Sequence, residues 1–194
     1  MQLINDKPAF PRIGLALGGG VARGMAHLGV LIALERAGLP IYCVTGSSAG
    51  ALFGSLYCAG IGPERAHEIA LSFHWLRIAA PVWPRSGFVS FDKLQRWWIG
   101  LAGDRAFADL QTPFAAVATD LQTGEPVVLK EGRVAPAVQA SCSIPGIVVP
   151  SEIGGRQLVD GTWSDTIPVR AARELGAEYV IGVDLLAHKV RRGP

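Results

Sequence analysis

The stretch that most constrains the fold of this chain is residues 41–54, where a short apolar run leads into the pattern Gly-x-Ser-x-Gly. Residues 41–44 are typical of a buried strand, and the small residues after the pattern favour a helix. Gly46 and Gly50 stand two residues either side of Ser48, where they remove Cβ atoms that would clash in a sharp turn. A strand, a sharp turn and a helix are the context in which this pattern carries a nucleophile. The stretch therefore predicts a nucleophilic serine at Ser48.

A purely structural interpretation of the same pattern is also open. The chain contains 24 glycines, so the pentapeptide can arise by chance. The hydroxyl groups of Ser47 and Ser48 could instead cap the helix that follows. The choice between catalysis and capping therefore depends on the rest of the chain.

Composition indicates one compact globular domain. The chain has 194 residues, of which 49% are hydrophobic and 18% are charged, enough for a sizeable core and unlike a disordered chain. A net charge of +2 gives no reason to expect a nucleic-acid partner. The three cysteines form no C-x-x-C pair and are expected to be reduced and buried: Cys43, Cys58 and Cys142.

The uncharged residues 37–63 resemble a membrane span in a hydropathy window. They include Pro40 and six glycines, so a buried strand, turn and helix explain them better. Residues 1–12 contain Asp6 and Lys7 rather than the apolar stretch of a signal peptide. We therefore expect a cytoplasmic protein.

Strands and helices alternate along the chain. Predicted strands cover residues 13–17, 41–44, 114–119, 127–130, 157–159 and 179–183. Predicted helices cover residues 21–37, 63–76, 91–101, 134–140 and 168–176, with a loop at residues 81–87. This alternation predicts a single α/β domain with a mainly parallel sheet.

A glycine-rich loop, Gly18 to Gly24, joins the first strand to a helix N-terminus, where free N–H groups suit an anion. The dinucleotide-binding pattern would need a glycine in place of Arg23. The P-loop would need Lys followed by Ser or Thr in place of Met25 and Ala26. An oxyanion hole for acyl transfer remains as the functional interpretation, with a plain tight turn as the structural one.

A nucleophilic serine needs a base. Only His188 follows every candidate acid, as the Ser-Asp-His order of hydrolases requires, and it lies in a polar tail. A histidine triad is therefore weakly supported. Asp160 fits better, because it ends a predicted strand and sites in open α/β sheets gather at such ends. The alternative role of Asp160 is that of a turn residue before Gly161.

Four segments of the chain occur in the order seen in patatin-like phospholipases: residues 18–24, 46–50, 140–146 and 159–161. The chain resembles the short bacterial members of that family over nearly its whole length. The resemblance implies a three-layer α/β/α sandwich, a dyad of Ser48 and Asp160, and no cofactor or metal. It also implies an oxyanion hole formed by Gly18, Gly19 and Gly20, with Arg23 supporting that loop.

The chain departs from the family pattern in two places. Thr162 follows Asp160-Gly161 where the family commonly has a second glycine, which keeps the aspartate and alters the turn after it. The chain also ends soon after Val183, whereas relatives usually continue with further helices. One domain over residues 1–194, shortened at its C-terminus, is therefore one interpretation.

The resemblance implies a serine hydrolase that cleaves the carboxylic esters of lipids, of the phospholipase A or lysophospholipase type. Two alternatives stay open: a small-ester or thioester hydrolase, and a non-enzymatic protein that binds a regulatory partner or lipid. Aromatic and basic residues alternate around residues 73–98. Of these, Trp83 is the candidate for a transient contact at the membrane periphery. The oligomeric state is not determined by the sequence.

Overall fold

The computed structural model describes residues 11–71, 79–82 and 87–186. The helices are α1 (Ala26–Arg36), α2 (Ala49–Cys58), α3 (Pro63–Leu71), α4 (Asp92–Ala102), α5 (Val134–Ser141) and α6 (Val169–Glu174). The strands are β1 (Ile13–Leu17), β2 (Ile41–Ser47), β3 (Ala80–Pro81), β4 (Val89–Ser90), β5 (Phe114–Asp120), β6 (Pro126–Leu129), β7 (Ser151–Ile153), β8 (Arg156–Asp160) and β9 (Tyr179–Val183). Trp83, His188 and the predicted end of the third helix near residue 76 lie outside the described residues.

Seven strands form one mixed, mostly parallel sheet in the order β7-β8-β5-β2-β1-β9, with β6 also paired to β5. The neighbours β9, β1, β2 and β5 are parallel. β6 and β8 run antiparallel to β5, and β7 runs antiparallel to β8. Helices cover the sheet, so the predicted α/β sandwich is confirmed.

Alternate residues of the central strands face different helices. Val44 of β2 packs in the main core with residues of α1, α2, α4 and α5. Its neighbour Cys43 packs instead against Ala172 of α6 and the nearby Ala177. β2 therefore has helices on both of its faces, which explains why its sequence is a continuous apolar run.

Two strands meet end to end along one side of β5. β6 pairs with one edge of β5 over residues 116–119 of β5. β2 and β8 therefore both pair with the opposite edge of β5. β2 ends with Ser47 paired to Val117. β8 runs the opposite way and ends with Asp160 paired to Ala118. Because Val117 and Ala118 are neighbours, the turn after β2 and the last residue of β8 come together at this junction.

The structure differs from the sequence-based elements in four places. β2 continues through Ser47 rather than stopping at residue 44, because it pairs in parallel with both β1 and β5. The predicted helix at residues 21–37 begins as a 3-10 turn, Val21–Met25, before α1. β3 and β4 pair as a short hairpin next to the predicted loop, and β7 was not predicted.

The predicted burial of the three cysteines is confirmed, since Cys43, Cys58 and Cys142 are all buried and free. The uncharged residues 37–63 form β2, a sharp turn and α2. Over residues 11–71, 79–82 and 87–186, no helix has the length and apolar character needed to cross a bilayer.

Candidate active site

The turn between β2 and α2 places Ser48 in an unusual backbone conformation. Its φ of 53° and ψ of −120° lie in a region that residues with a side chain rarely adopt. Such a conformation costs about 1–3 kcal/mol and persists only where the surroundings enforce it. Ser48 is nonetheless buried, with only 6% of its surface exposed. Its conformation is therefore held by its neighbours.

The glycines of the turn are required by close backbone approaches. A Cβ on Gly46 would lie 2.4 Å from the amide nitrogen of Ala51. A Cβ on Gly50 would lie 2.0 Å from the carbonyl oxygen of Leu17, at the end of β1. Both distances are far below van der Waals contact, so the start of α2 can pack on β2 and on β1 only if these residues are glycines.

Ser48 and Asp160 meet at the junction of β2 and β8. The hydroxyl of Ser48 donates a hydrogen bond to Oδ2 of Asp160 over 2.6 Å, and both residues are buried. The chain turns away directly after Asp160, where a Cβ on Gly161 would lie 2.0 Å from the carbonyl oxygen of Val117. Gly161 therefore lets β8 end close enough to β5 for this contact.

The environment of Asp160 increases the basicity of its carboxylate. Burial raises the pKa of Asp160 above its ordinary value of 3.8, and hydrogen bonds from Ser48 and Thr162 partly offset that rise. A buried carboxylate bonded to a serine hydroxyl has the geometry of a general base.

Ser141, the last residue of α5, fixes the backbone of Ser48. The N–H group of Ser48 donates to Oγ of Ser141 over 2.9 Å. The same hydroxyl donates to the carbonyl oxygen of Val117 over 2.6 Å. On the other side, the carbonyl oxygen of Ser48 accepts from Leu52 N and from the thiol of Cys142. The sequence indicated this segment only as part of a family motif, and its residue types gave no sign of these contacts.

The glycine-rich loop lies beside Ser48, and two of its three glycine amides are already bonded. Gly18 N–H donates to the carbonyl oxygen of Val183 and Gly19 N–H donates to that of Thr166. Within the described residues, Gly20 N–H has no acceptor, and it lies at the start of the helical segment. Of the three glycines predicted as oxyanion donors, Gly20 is therefore the one whose N–H carries no bond within the described residues.

His27 and Arg23 hold the loop from two sides. The Nε2–H group of His27 donates to the carbonyl oxygen of Gly18 over 2.7 Å, so His27 contacts the loop rather than Ser48. Burial lowers the pKa of His27, which keeps the ring neutral, although the hydrogen bond to Gly18 acts the other way. Arg23 donates to the carbonyl oxygen of Leu185, whose side chain packs beside Gly20. Arg23 thus links the glycine-rich segment to the residues after β9.

An apolar cavity opens beside Ser48. A small cavity of about 20 Å³ contains Ser48 in its wall and is otherwise lined by Val21, Ala49, Leu52, Phe91, Leu94, Cys142 and Ile144. A larger cavity of about 90 Å³ is lined by Val21, Ala22, Met25, Ala49, Leu52, Phe53 and Ala70. The two cavities share Val21, Ala49 and Leu52, and apart from Ser48 no polar side chain among the described residues lines either. Their walls suit a hydrocarbon group.

Fold and site together define an α/β protein with a buried serine–aspartate pair on a sharp strand-to-helix turn. The chain belongs to the patatin-like phospholipase family, which it matches over residues 15–173. It is 37% identical over 177 residues to an uncharacterised NTE family protein of Mycobacterium tuberculosis, covering 90% of this chain and 49% of that protein. The chain thus spans about half the length of the first curated relatives it matches.

One further relative agrees with this family, and one solved structure agrees with the fold. A lysophospholipase of Aspergillus fumigatus is 32% identical over 179 residues, which are 89% of this chain and 12% of that enzyme. The crystal structure of VipD from Legionella pneumophila superposes with a TM-score of 0.57 at 15% identity, over 83% of this chain and 47% of that one. At that identity, the similarity to VipD supports the fold alone.

Proposed function

We propose that this domain is a serine hydrolase that cleaves carboxylic esters of lipids, with Ser48 as nucleophile and Asp160 as base. The observation that carries the proposal is the buried hydrogen bond of 2.6 Å from Ser48 Oγ to Asp160 Oδ2. A serine hydroxyl is a weak nucleophile until a base accepts its proton. The sharp turn directs the hydroxyl to that base at the edge of an apolar cavity.

The proposed acylation begins when Ser48 Oγ attacks the ester carbonyl and Asp160 Oδ2 accepts the hydroxyl proton. The carbonyl carbon becomes tetrahedral and its oxygen becomes an oxyanion, which Gly20 N–H would bind. The intermediate collapses as the alcohol leaves with the proton from Asp160. Water then attacks the acyl-serine, Asp160 takes its proton, and the fatty acid leaves as Ser48 regains its hydrogen.

The cavity supports an acyl group as the part of the substrate that binds beside Ser48. Apolar side chains line both cavities, and burying a CH₂ group contributes about 0.8 kcal/mol. The relationship to a lysophospholipase supports a lipid ester, of the phospholipase A or lysophospholipase type. A lipid substrate also supports transient contact with a membrane surface.

The pH dependence follows from the role of Asp160. The base must be ionised, and burial raises its pKa above 3.8. Activity is therefore expected to fall as the pH drops through this raised value, at a higher pH than for an exposed aspartate. The same burial destabilises the ionised form, so stability is lost as the pH rises from 3.8 through the folded-state pKa.

The test is fatty-acid release from a lysophospholipid by the wild type, Asp160→Asn and Asp165→Asn. Asp160→Asn is expected to lower kcat at least ~10³-fold and to keep or raise the melting temperature, because a buried charge is removed. Asp165→Asn makes the same change five residues further on, at a carboxyl whose pKa burial also raises, and should keep wild-type turnover. Wild-type turnover in Asp160→Asn would refute the dyad. A folded wild type without turnover would favour a binding role.

A further inference from the structure

The two oxygens of the Asp160 carboxylate have different partners. Oδ2 accepts the hydroxyl of Ser48. Oδ1 accepts the backbone N–H of Thr162 over 2.9 Å, and the Thr162 side chain lowers the pKa of this carboxyl. Thr162 therefore holds Oδ1 while Ser48 binds Oδ2. By fixing Oδ1, Thr162 determines how the plane of the carboxylate is oriented towards Ser48.

The Thr162 side chain also lies directly against the glycine-rich loop. A Cβ on Gly19 would stand 2.0 Å from Thr162 Oγ1 and 2.9 Å from its Cγ2. Two hydrogen bonds through Thr166 support this contact. Gly19 N–H donates to the carbonyl oxygen of Thr166, and the Thr166 hydroxyl donates to the carbonyl oxygen of Thr162. The turn that carries Asp160 and the loop that carries Gly20 are thus joined through Thr162.

We propose that Thr162 is a positioning residue, which holds Oδ1 of the Asp160 carboxylate and whose side chain sets the spacing between that base and the glycine-rich loop. The inference rests on the proposed dyad of Ser48 and Asp160. It goes beyond that dyad because Thr162 touches neither Ser48 nor the apolar cavity in the contacts described above, and acts through Asp160 and Gly19.

The departure at this position allows a matched comparison. The family resemblance leads to the expectation of glycine at position 162. A glycine would keep the backbone N–H to Asp160 and lose the side chain that packs against Gly19. The backbone and side-chain contributions of Thr162 can therefore be separated by substitution.

Few other groups influence Asp160. Burial, Ser48 and Thr162 account for its pKa. Cys142, just after α5, is the other titratable group beside it, and burial keeps that thiol protonated by raising its pKa well above the usual range. His27 lies behind the glycine-rich loop and is neutral, because burial lowers its pKa. A change in the pH profile after substitution of Thr162 would therefore report on Asp160.

The experiment measures the rate of labelling by a fluorophosphonate probe between about pH 4 and 9 for the wild type, Thr162→Val and Thr162→Ser. Fluorophosphonates form a bond to an activated serine oxygen and release fluoride. For Thr162→Val, we expect the acid limb of the profile, where labelling falls as the pH drops, to move up by about one pH unit. The reason is that the hydroxyl that lowers the pKa of Asp160 is lost. We also expect the plateau rate to fall about tenfold. Thr162→Ser restores the hydroxyl and should stay within about twofold of the wild type with an unmoved limb.

Thr162→Gly provides the second test and the safeguard if the valine variant does not fold. It should shift the limb in the same direction as Thr162→Val. If the wild type is labelled and both variants keep its limb and plateau, the positioning role is refuted while the dyad stands. A lower melting temperature with an unmoved limb would refute the positioning role in the same way. If the folded wild type is not labelled at any pH, the dyad fails, and this inference fails with it.

Discussion

The turn at Ser48 and the loop at Gly18–Gly20 lie side by side, yet their backbones are fixed to different degrees. At the turn, both the N–H and the carbonyl group of Ser48 are bonded, to Ser141 and to Leu52 with Cys142. In the loop, Gly18 and Gly19 are bonded through their amides, while Gly20 N–H has no acceptor in the described part of the chain. A nucleophile requires one fixed orientation, whereas an anion site requires donors that are still free.

Small residues therefore serve two purposes in this site. Gly46, Gly50 and Gly161 are needed because a side chain would collide with backbone atoms. Gly20 instead faces the flexible side chain of Leu185, and its value to the proposed site lies in its free N–H. Substitutions at the turn should affect folding first, and substitutions around the loop should affect chemistry or pH dependence first.

The largest effect is expected from Gly50→Ala. Its Cβ would lie 2.0 Å from Leu17 O, so α2 must move off β1 or the strand must shift. We expect a loss of about 3 kcal/mol or more in the free energy of unfolding, together with loss of ester hydrolysis. Denaturant unfolding measures the first, and a chromogenic ester assay measures the second.

Gly29→Ala is the control for that substitution. Gly29 lies on the exposed side of α1 with no atom within 4 Å of its added Cβ. It should stabilise the protein by about 0.5–1 kcal/mol, since alanine favours a helix. Equal stability in the two alanine variants would contradict the assignment of Gly50 to a close backbone contact.

Ser141→Ala should have the next largest effect. The substitution leaves the buried N–H of Ser48 and the carbonyl of Val117 without their shared partner. We expect a loss of about 2 kcal/mol of stability, and a drop of at least about tenfold in probe labelling per folded molecule. Labelling should be measured by intact mass under conditions where the variant is fully folded.

Ser55→Ala gives the matched control for Ser141. Its hydroxyl is equally buried, donates to Leu52 O and accepts from the indole of Trp98. The stability loss should be similar, about 1–2 kcal/mol, while labelling stays within about twofold of the wild type. If both serine variants lose labelling to the same degree, the bridge at Ser141 has no special role in orienting Ser48.

A smaller effect is expected from His27→Gln, on stability as a function of pH. Burial lowers the folded-state pKa of His27 below its ordinary value of 6.5, so the unfolded chain takes up the proton first. The stabilising contribution is present above pH 6.5 and is lost as the pH falls from there through the folded-state pKa.

Thermal melts at about pH 7.5 and 5.5 measure this difference. The wild type should lose about 1 kcal/mol more than His27→Gln over the acid part of that range. His67→Gln, at an exposed position of α3, is the control and should melt as the wild type does at both pH values. An equal pH dependence in the wild type and His27→Gln would show that the buried ring is not the group responsible.

The smallest effect is expected from Arg23→Ala. Its guanidinium makes an exposed hydrogen bond to Leu185 O, so stability should fall by less than about 1 kcal/mol. Turnover should fall about threefold or less, because Arg23 bonds to Leu185 in the segment after β9 and not to Ser48 or Asp160. Arg65→Ala, which breaks an exposed ion pair with Glu68 in α3, sets the scale for a surface substitution. A loss beyond ~10³-fold for Arg23→Ala would mean that Arg23 contacts the substrate.

The backbone elements that carry the site could be predicted from the sequence, because glycine patterns indicate tight turns. The strand, turn and helix around Ser48 were predicted correctly, as was the position of Asp160 at the end of a strand. Their contact depends on β2 and β8 meeting along one side of β5, a pairing between distant segments. Local patterns contain no information about such pairings.

The roles that the sequence did not indicate depend on one polar group of a residue: a hydroxyl, an amide or a ring nitrogen. Ser141, Thr162 and His27 occur in ordinary helical or turn contexts, and their roles depend on which carbonyl or carboxylate lies opposite. Gly18 and Gly19 are the opposite case, because the sequence indicated them as donors and the structure shows that their amides are already bonded. Their residue type fits an oxyanion hole, but tertiary contacts to Thr166 and Val183 already use their amides.

The most direct test of the central claim is intact-mass spectrometry after exposure to a fluorophosphonate, on the wild type and on Ser48→Ala. We predict one adduct on the wild type and none on the variant. A folded wild type that gains no adduct, or a variant that gains the same adduct, would contradict the claim that Ser48 is an activated nucleophile.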